Sequence, residues 1–196
     1  MQEVLRVGLG VLVFGLQHSG LSALRVKYAI IDRFGKSGYH SIFTATAILA
    51  FLFSFFMIGF WDWLYFMLRP DAIHLPLFVS GIICGAMGFW LAHKASAVIS
   101  VSTVADMRND RTAELVTAGI YAHIRHPLYL ATLLLFAGLG LLYPFLPVVA
   151  YVTFMSAYLI FGAFLEERKL IIYYGKEYQK YKKKAGFILP RLGGNE

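Results

Sequence analysis

The sequence predicts an all-α integral membrane protein of five transmembrane helices with its N-terminus outside. Three observations predict it. The 196-residue chain is 59% hydrophobic and only 15% charged, with a mean hydropathy of +0.65, too apolar for an ordinary soluble domain. The apolar residues fall into five runs, about 4–24, 41–61, 76–93, 128–143 and 145–165, most of them long enough for a hydrocarbon layer of roughly 30 Å. Lys and Arg gather in the connections after the first and third runs and in the C-terminal tail, which the positive-inside rule assigns to the cytoplasm.

The length suits one bundle, a single domain over 1–196. A formal charge of +7 could suggest nucleic acid, but the cations sit in loops and tail rather than on a soluble face; anionic lipid headgroups are the expected partner and nucleic acid is not. No obligate protein partner is evident. Cys84 is the only cysteine, so neither a disulfide framework nor a thiolate metal cluster is expected, and no metal site.

Val4 to Leu24 forms the first span, with Arg6 near its start. It is too long for a removable signal peptide and lacks the basic n-region and cleavage pattern, so it is expected to be retained. Gln17-His18-Ser19 interrupts its apolar pattern; polar groups at membrane depth face the bundle interior or a wet cavity, and His18 is either a packing residue or a pocket residue. Arg25 to His40 reads as a basic loop. Ser41 to Trp61 is a Phe-rich second span closed by the aromatic belt Trp61-Asp62-Trp63-Leu64-Tyr65. The third span, Pro76 to His93, carries Gly81, Gly85 and Gly88, spaced for close helix contact. No interior carboxylate occurs in these spans, which argues against a proton-coupled transporter.

Lys94 to Arg125 is the longest polar connection, with a β-branched stretch 98–104 and a charged turn 106–111; it is expected to fold back as part of a pocket. Leu128 to Tyr143, the fourth span, covers about 24 Å at ~1.5 Å per residue. Tyr143-Pro144 turns the chain into the fifth span, Phe145 to Leu165, which continues without a break signal to Tyr181.

Polar chemistry gathers at Gly119-Ile120-Tyr121-Ala122-His123-Ile124-Arg125-His126-Pro127-Leu128-Tyr129. Pro127 suits the first position of a helix, so Arg125 and His126 stand at a helix N-terminus, where free N–H groups, the dipole and a guanidinium attract a small anion. The alternative is an interfacial loop facing headgroups and water. At the other end of the hairpin, helical spacing sets Glu167, Leu170, Ile171, Tyr174, Tyr178 and Tyr181 on one face. One carboxylate of Glu166-Glu167 then crowns that face, unless the segment is an interfacial amphipathic helix with a solvated Glu pair. The charge pattern puts Arg125, His126, Glu166 and Glu167 at one cytoplasmic depth, so they can line one pocket.

The pattern Gly119-x-Tyr121-x-x-x-Arg125-His126-Pro127-x-Tyr129, a two-span hairpin, Glu166-Glu167, Tyr174-Gly175-x-x-Tyr178 and Tyr181 resembles the membrane methyltransferase superfamily that includes isoprenylcysteine carboxyl methyltransferases and phospholipid N-methyltransferases. The N-terminal half more weakly resembles the methanethiol S-methyltransferase and NnrU-type branch. The resemblance implies an S-adenosylmethionine-dependent enzyme of the cell membrane, its cofactor part within about 115–190. It implies that Gly119, Ile120, Tyr121, His126, Pro127, Tyr129, Glu166, Glu167 and Tyr178 hold the cofactor while Leu189 and Pro190 close over the adenine.

Direct displacement needs no residue nucleophile. Arg125, His126, Glu167 and His18 are the candidate catalytic residues, with His18 or His126 as base for a thiol acceptor. The acceptor is small or lipophilic, a thiol first. A prenylcysteine carboxylate or a phospholipid amine is the alternative, and a non-enzymatic accessory protein retaining the fold is the rival from another class.

Overall fold

The computed structural model describes residues 1–98 and 115–191. The expected β-branched stretch and charged turn of the long connection therefore lie almost wholly outside the described residues. Most of the described residues are helical, with no strand among them and one isolated parallel bridge between Ile124 and Gly186. Among the described residues four helices are long and apolar enough to cross a membrane: α1 (Gln2–Ser22), α2 (Leu24–Phe56), α4 (Leu75–Val98) and α6 (Leu146–Tyr174). Between them lie α3 (Tyr65–Leu68) and α5 (Pro127–Leu142), and α7 (Lys176–Lys184) follows. The apolar α5 has 16 residues, about 24 Å at ~1.5 Å each.

Contacts divide the chain into two compact units, Met1–Ile73 with Tyr143–Met155, and His74–Leu142 with Ser156–Glu196. In the first, α1 and α2 meet at an extended Ala23, and the predicted basic loop over 25–40 is not a loop. It is helical, interrupted at Gly35 with φ 73° and ψ 172°. Charged residues are compatible with a helix, and only a Gly or Pro breaks one at low cost elsewhere. Lys27 is only 3% exposed, its Nζ 5.9 Å from the rings of Tyr28 and Tyr39.

The second predicted span also stops earlier, at Phe56 rather than Trp61. Arg6 is tied to that end: its Nε donates to the Met57 carbonyl at 3.0 Å and its Nη2 to Ile58 at 3.1 Å, serving carbonyls that the helix end leaves without helical partners. The aromatic belt is a packed cluster, in which Phe60 meets Phe145 at 4.8 Å, Trp63 meets Tyr143 at 5.1 Å and Tyr65 meets Phe145 at 5.1 Å. Buried Ser54 and Tyr151 pair their hydroxyls at 3.3 Å in the core of this unit.

In the second unit the small residues of α4 serve close packing on α5. A Cβ on Gly88 would stand 2.9 Å from the Ala131 carbonyl oxygen and from Leu135, and one on Gly81 would stand 3.0 Å from the Gly138 carbonyl. Helix α6 contributes residues 146–155 to the first unit and 156–174 to the second. The predicted unbroken helix to Tyr181 is broken at Gly175, whose φ of 54° and ψ of −123° form a backbone that a side chain would strain. Its N–H still bonds the Ile171 carbonyl at 2.9 Å, and α7 starts directly after it. Tyr178, Tyr181 and Ala185 then form a buried cluster against Leu170, Ile171 and Tyr174.

Candidate functional site

Pro127 opens α5, as its fixed φ predicts, and the residues before it are pinned by the C-terminal tail. Gly186 donates to the His123 carbonyl at 2.9 Å, Arg125 N–H donates to Gly186 at 2.9 Å, and His126 N–H donates to Phe187 at 3.1 Å. Two of the amides expected to attract an anion are thus occupied by tail carbonyls. Gly119, at φ 60°, starts a 3-10 turn over Gly119–Ala122; a left-handed residue at that point admits Gly at little cost. The turn seats Tyr121 against Ala95, with Ile120 and Leu128 packed beside them.

Arg125 and Glu167 meet in the interior, their side chains 8% and 9% exposed, with Nε to Oε1 at 2.6 Å. The same Oε1 accepts from the Tyr178 hydroxyl at 2.9 Å, while Oε2 pairs with Lys182 Nζ at 2.8 Å. Arg125 Nη1 also donates to the carbonyls of Lys182 and Ala185. So many donors around one carboxylate stabilise its ionised form. Its neighbour differs: Glu166 is half-buried and accepts one hydroxyl, from Tyr129, at 2.5 Å.

His126 is 4% exposed, clasped edge-on by Tyr129 at 5.2 Å and Phe187 at 5.1 Å. Its Nε2 is 3.4 Å from Glu167 Oε1 but outside hydrogen-bond geometry, and it is a buried polar atom without a hydrogen bond. Such an atom is costly unless something polar meets it. His126 lines a cavity of about 100 Å³ together with Tyr121, Tyr129, Glu166, Tyr178 and Tyr181, among others. Burial, with Glu166 adding to it, pushes the Tyr121 hydroxyl up. Burial raises Tyr181 to about 12 against the opposing pull of Arg125. Burial and the bond to Glu167 push Tyr178 far above the usual phenol range. The phenols are therefore neutral at physiological pH, suited to donating hydrogen bonds rather than attacking.

The expected residues divide accordingly. Tyr121, Arg125, His126, Pro127, Tyr129, Glu166 and Tyr178 come together at the cavity. Glu167 instead lines a separate groove of about 380 Å³ with Phe161, Phe164, Arg168, Ile171 and Lys182. Leu189, 67% exposed, and the exposed Pro190 do not line the cavity; the tail residue that reaches His126 is Phe187, whose ring also lies tilted against Phe164 at 4.7 Å. His18 belongs to the first unit, stacked on Phe14 at 5.7 Å and tilted against Phe43 at 5.2 Å, beside a Gln17 that donates to Thr46 at 2.8 Å. Sequence reasoning missed Lys182 and Phe187. Lys182 was findable, four residues beyond Tyr178 and hence on its face of the helix; Phe187 is marked only as part of the short apolar patch Gly186-Phe187-Ile188-Leu189-Pro190, suited to tucking back onto the bundle.

The family model described as phospholipid methyltransferase matches residues 77–177. Methanethiol S-methyltransferase of Crocosphaera subtropica is 23% identical over 189 residues, covering 92% of this chain and 72% of that protein. No solved structure matches significantly.

Proposed function

Because the chain belongs to the phospholipid methyltransferase family, we propose that it is an S-adenosylmethionine-dependent methyltransferase embedded in the membrane. The cavity beside His126 holds the cofactor and a small thiol is the first-choice acceptor. The observation that carries this reading is a cavity lined by both Glu166 and a buried His126 whose Nε2 makes no hydrogen bond.

The donor and acceptor set suits such a group. Its ammonium and ribose hydroxyls match a carboxylate with lone pairs to spare, and Glu166 fits that part better than Glu167, whose two oxygens are covered by Arg125, Tyr178 and Lys182. His126 and the tyrosine hydroxyls offer hydrogen bonds to its polar rim. When bound, the cofactor supplies a sulfonium methyl. The chain's own residues bind it, orient it and exclude water, which are the contributions that direct displacement rewards. For a thiol acceptor, His126 accepts the thiol proton.

The thiol is supported by the methanethiol-methylating relative. The groove lined by Phe161, Phe164 and Ile171 supports a second reading, a lipophilic acceptor such as a prenylcysteine carboxylate or a phospholipid amine. In both readings α5 is the fourth of five spans, the N-terminus lies outside the cell membrane, and the cavity opens to the cytoplasm, as the Lys and Arg distribution supports.

Calorimetric titration in detergent tests the cofactor: saturable binding of S-adenosylmethionine and of its demethylated product is expected, and no heat from either overturns the reading in favour of a non-enzymatic accessory protein. A labelled-methyl assay across thiols, lipids and prenylcysteine analogues then selects the acceptor.

A further inference from the structure

The cavity beside His126 holds about 100 Å³, the share of about three waters at ~30 Å³ each and well below the ~300 Å³ at which small-ligand pockets begin. A nucleoside-sized ligand enters only if a wall moves. Tyr178 and Tyr181 of α7 form part of that wall, and the bonds that hold α7 converge on Glu167.

Its carboxylate joins four pieces of chain. It stands on α6, takes the Arg125 guanidinium from the entry to α5 at 2.6 Å, and takes the Tyr178 hydroxyl and the Lys182 ammonium from α7 at 2.9 and 2.8 Å. Through Arg125, whose side chain bonds the Ala185 carbonyl and whose N–H bonds that of Gly186, it also fastens the tail. Arg125 and Tyr178 line the cavity, whereas Glu167 and Lys182 line the groove of about 380 Å³. The bonded quartet is therefore the partition between the two spaces. Without Glu167, two buried or half-buried cations would face each other with no counter-charge, so α7 would lose what draws it onto α6.

We infer that Glu167 is a positioning residue, a latch that fastens α7 and the tail across the cavity, and that its release joins cavity to groove and opens the space a nucleoside-sized cofactor requires. Only the last clause rests on the proposed cofactor. Glu166, bonded to Tyr129 and facing the cavity, is the contrasting carboxylate, with no contact to α7 or the tail in the latch.

Hydrogen exchange on the full-length protein in detergent, with no ligand, tests the latch through the amides of Arg125, His126 and Gly186, which pair tail with α5 entry. Glu167→Gln and Lys182→Met should each speed their exchange by about tenfold or more, as expected for losing a charged hydrogen bond. The double variant should exchange no faster than Glu167→Gln alone, and Glu166→Gln should leave these amides protected. Binding supplies the second readout: in Lys182→Met the unliganded protein no longer has to open, so S-adenosylmethionine should associate about threefold or more faster and with a lower Kd than in the wild type. Unchanged exchange in Glu167→Gln overturns the latch, and an association rate in Lys182→Met no faster than that of the wild type overturns its role in cofactor entry. Lys182→Met, at a half-exposed position, carries the same test if Glu167→Gln does not fold. Faster exchange in both latch variants with no cofactor binding by the wild type keeps the latch and removes the cofactor assignment.

Discussion

Arg125→Met removes a guanidinium from a place where it serves three acceptors at once: Glu167 Oε1 at 2.6 Å and the carbonyls of Lys182 and Ala185. Met fills similar length, so little cavity cost arises. Taking one partner from a buried ion pair costs about 3–5 kcal/mol because the other charge is left uncompensated. Here Lys182 at 2.8 Å and the Tyr178 hydroxyl at 2.9 Å still serve Glu167, which lowers that share to about 2 kcal/mol. The two carbonyls that lose a donor return about 1 kcal/mol of cost. The expected loss is therefore about 3 kcal/mol, read from reversible unfolding in mixed micelles. In a cycle with Glu167→Gln, the double variant should recover about 1–2 kcal/mol relative to additivity, since neither charge is then orphaned. A loss below about 1 kcal/mol, or strict additivity, would show that the pair is solvated in the protein and that the network does not hold the tail.

Three further outcomes follow from the same geometry. His126→Phe keeps the aromatic contacts with Tyr129 and Phe187 and deletes the unbonded Nε2, so the ligand-free protein should be as stable as wild type or gain up to about 1 kcal/mol while S-adenosylmethionine binding is lost; intact binding by calorimetry would remove His126 from the site. Raising pH should destabilise the protein between about 10 and about 12: Tyr181 ionises near 10 when unfolded but only near 12 when folded, so the folded state keeps a proton that the unfolded state loses, and stability present below pH 10 falls by about 1.4 kcal/mol per pH unit. Tyr181→Phe should flatten that fall in a pH series of unfolding free energies, and an unchanged slope would refute the assignment. Gly88→Ala drives a Cβ to 2.9 Å from the Ala131 carbonyl and should cost about 1–3 kcal/mol, whereas Gly85→Ala meets nothing within 4 Å and should be neutral or stabilise by up to about 1 kcal/mol; thermal unfolding that ranks the two the other way would contradict the α4 to α5 contact.

Much of the architecture was legible from composition and spacing. Long apolar runs must become helices where backbone groups have no water to bond, and Pro127, Gly81 and Gly88 keep the roles their chemistry predicts. The boundaries failed for two reasons: charge suggested a break where the helix continues, and continuity of pattern hid the breaks that do occur. Lys27 and Arg33 lie within helical α2, Trp61 lies beyond its end, and the actual interruptions fall at Ala23, Gly35 and Gly175. The candidate site was legible as a set of residues, because Arg125-His126-Pro127 and Glu166-Glu167 are local patterns. Which members face which space was not.

The amino-acid order by itself determined an apolar helical chain, a family, and two polar segments separated by a helical hairpin, since these follow from local periodicity and residue chemistry. Tertiary structure decided between the adjacent carboxylates. Glu166 and Glu167 are one residue apart, and one step along a helix turns a side chain by about 100°. That rotation aims Glu166 at Tyr129 and the cavity and Glu167 at Arg125, Tyr178 and Lys182. The donors that distinguish them come from the entry to α5, α5 itself and α7, up to 42 residues away along the chain, and no spacing rule spans that distance.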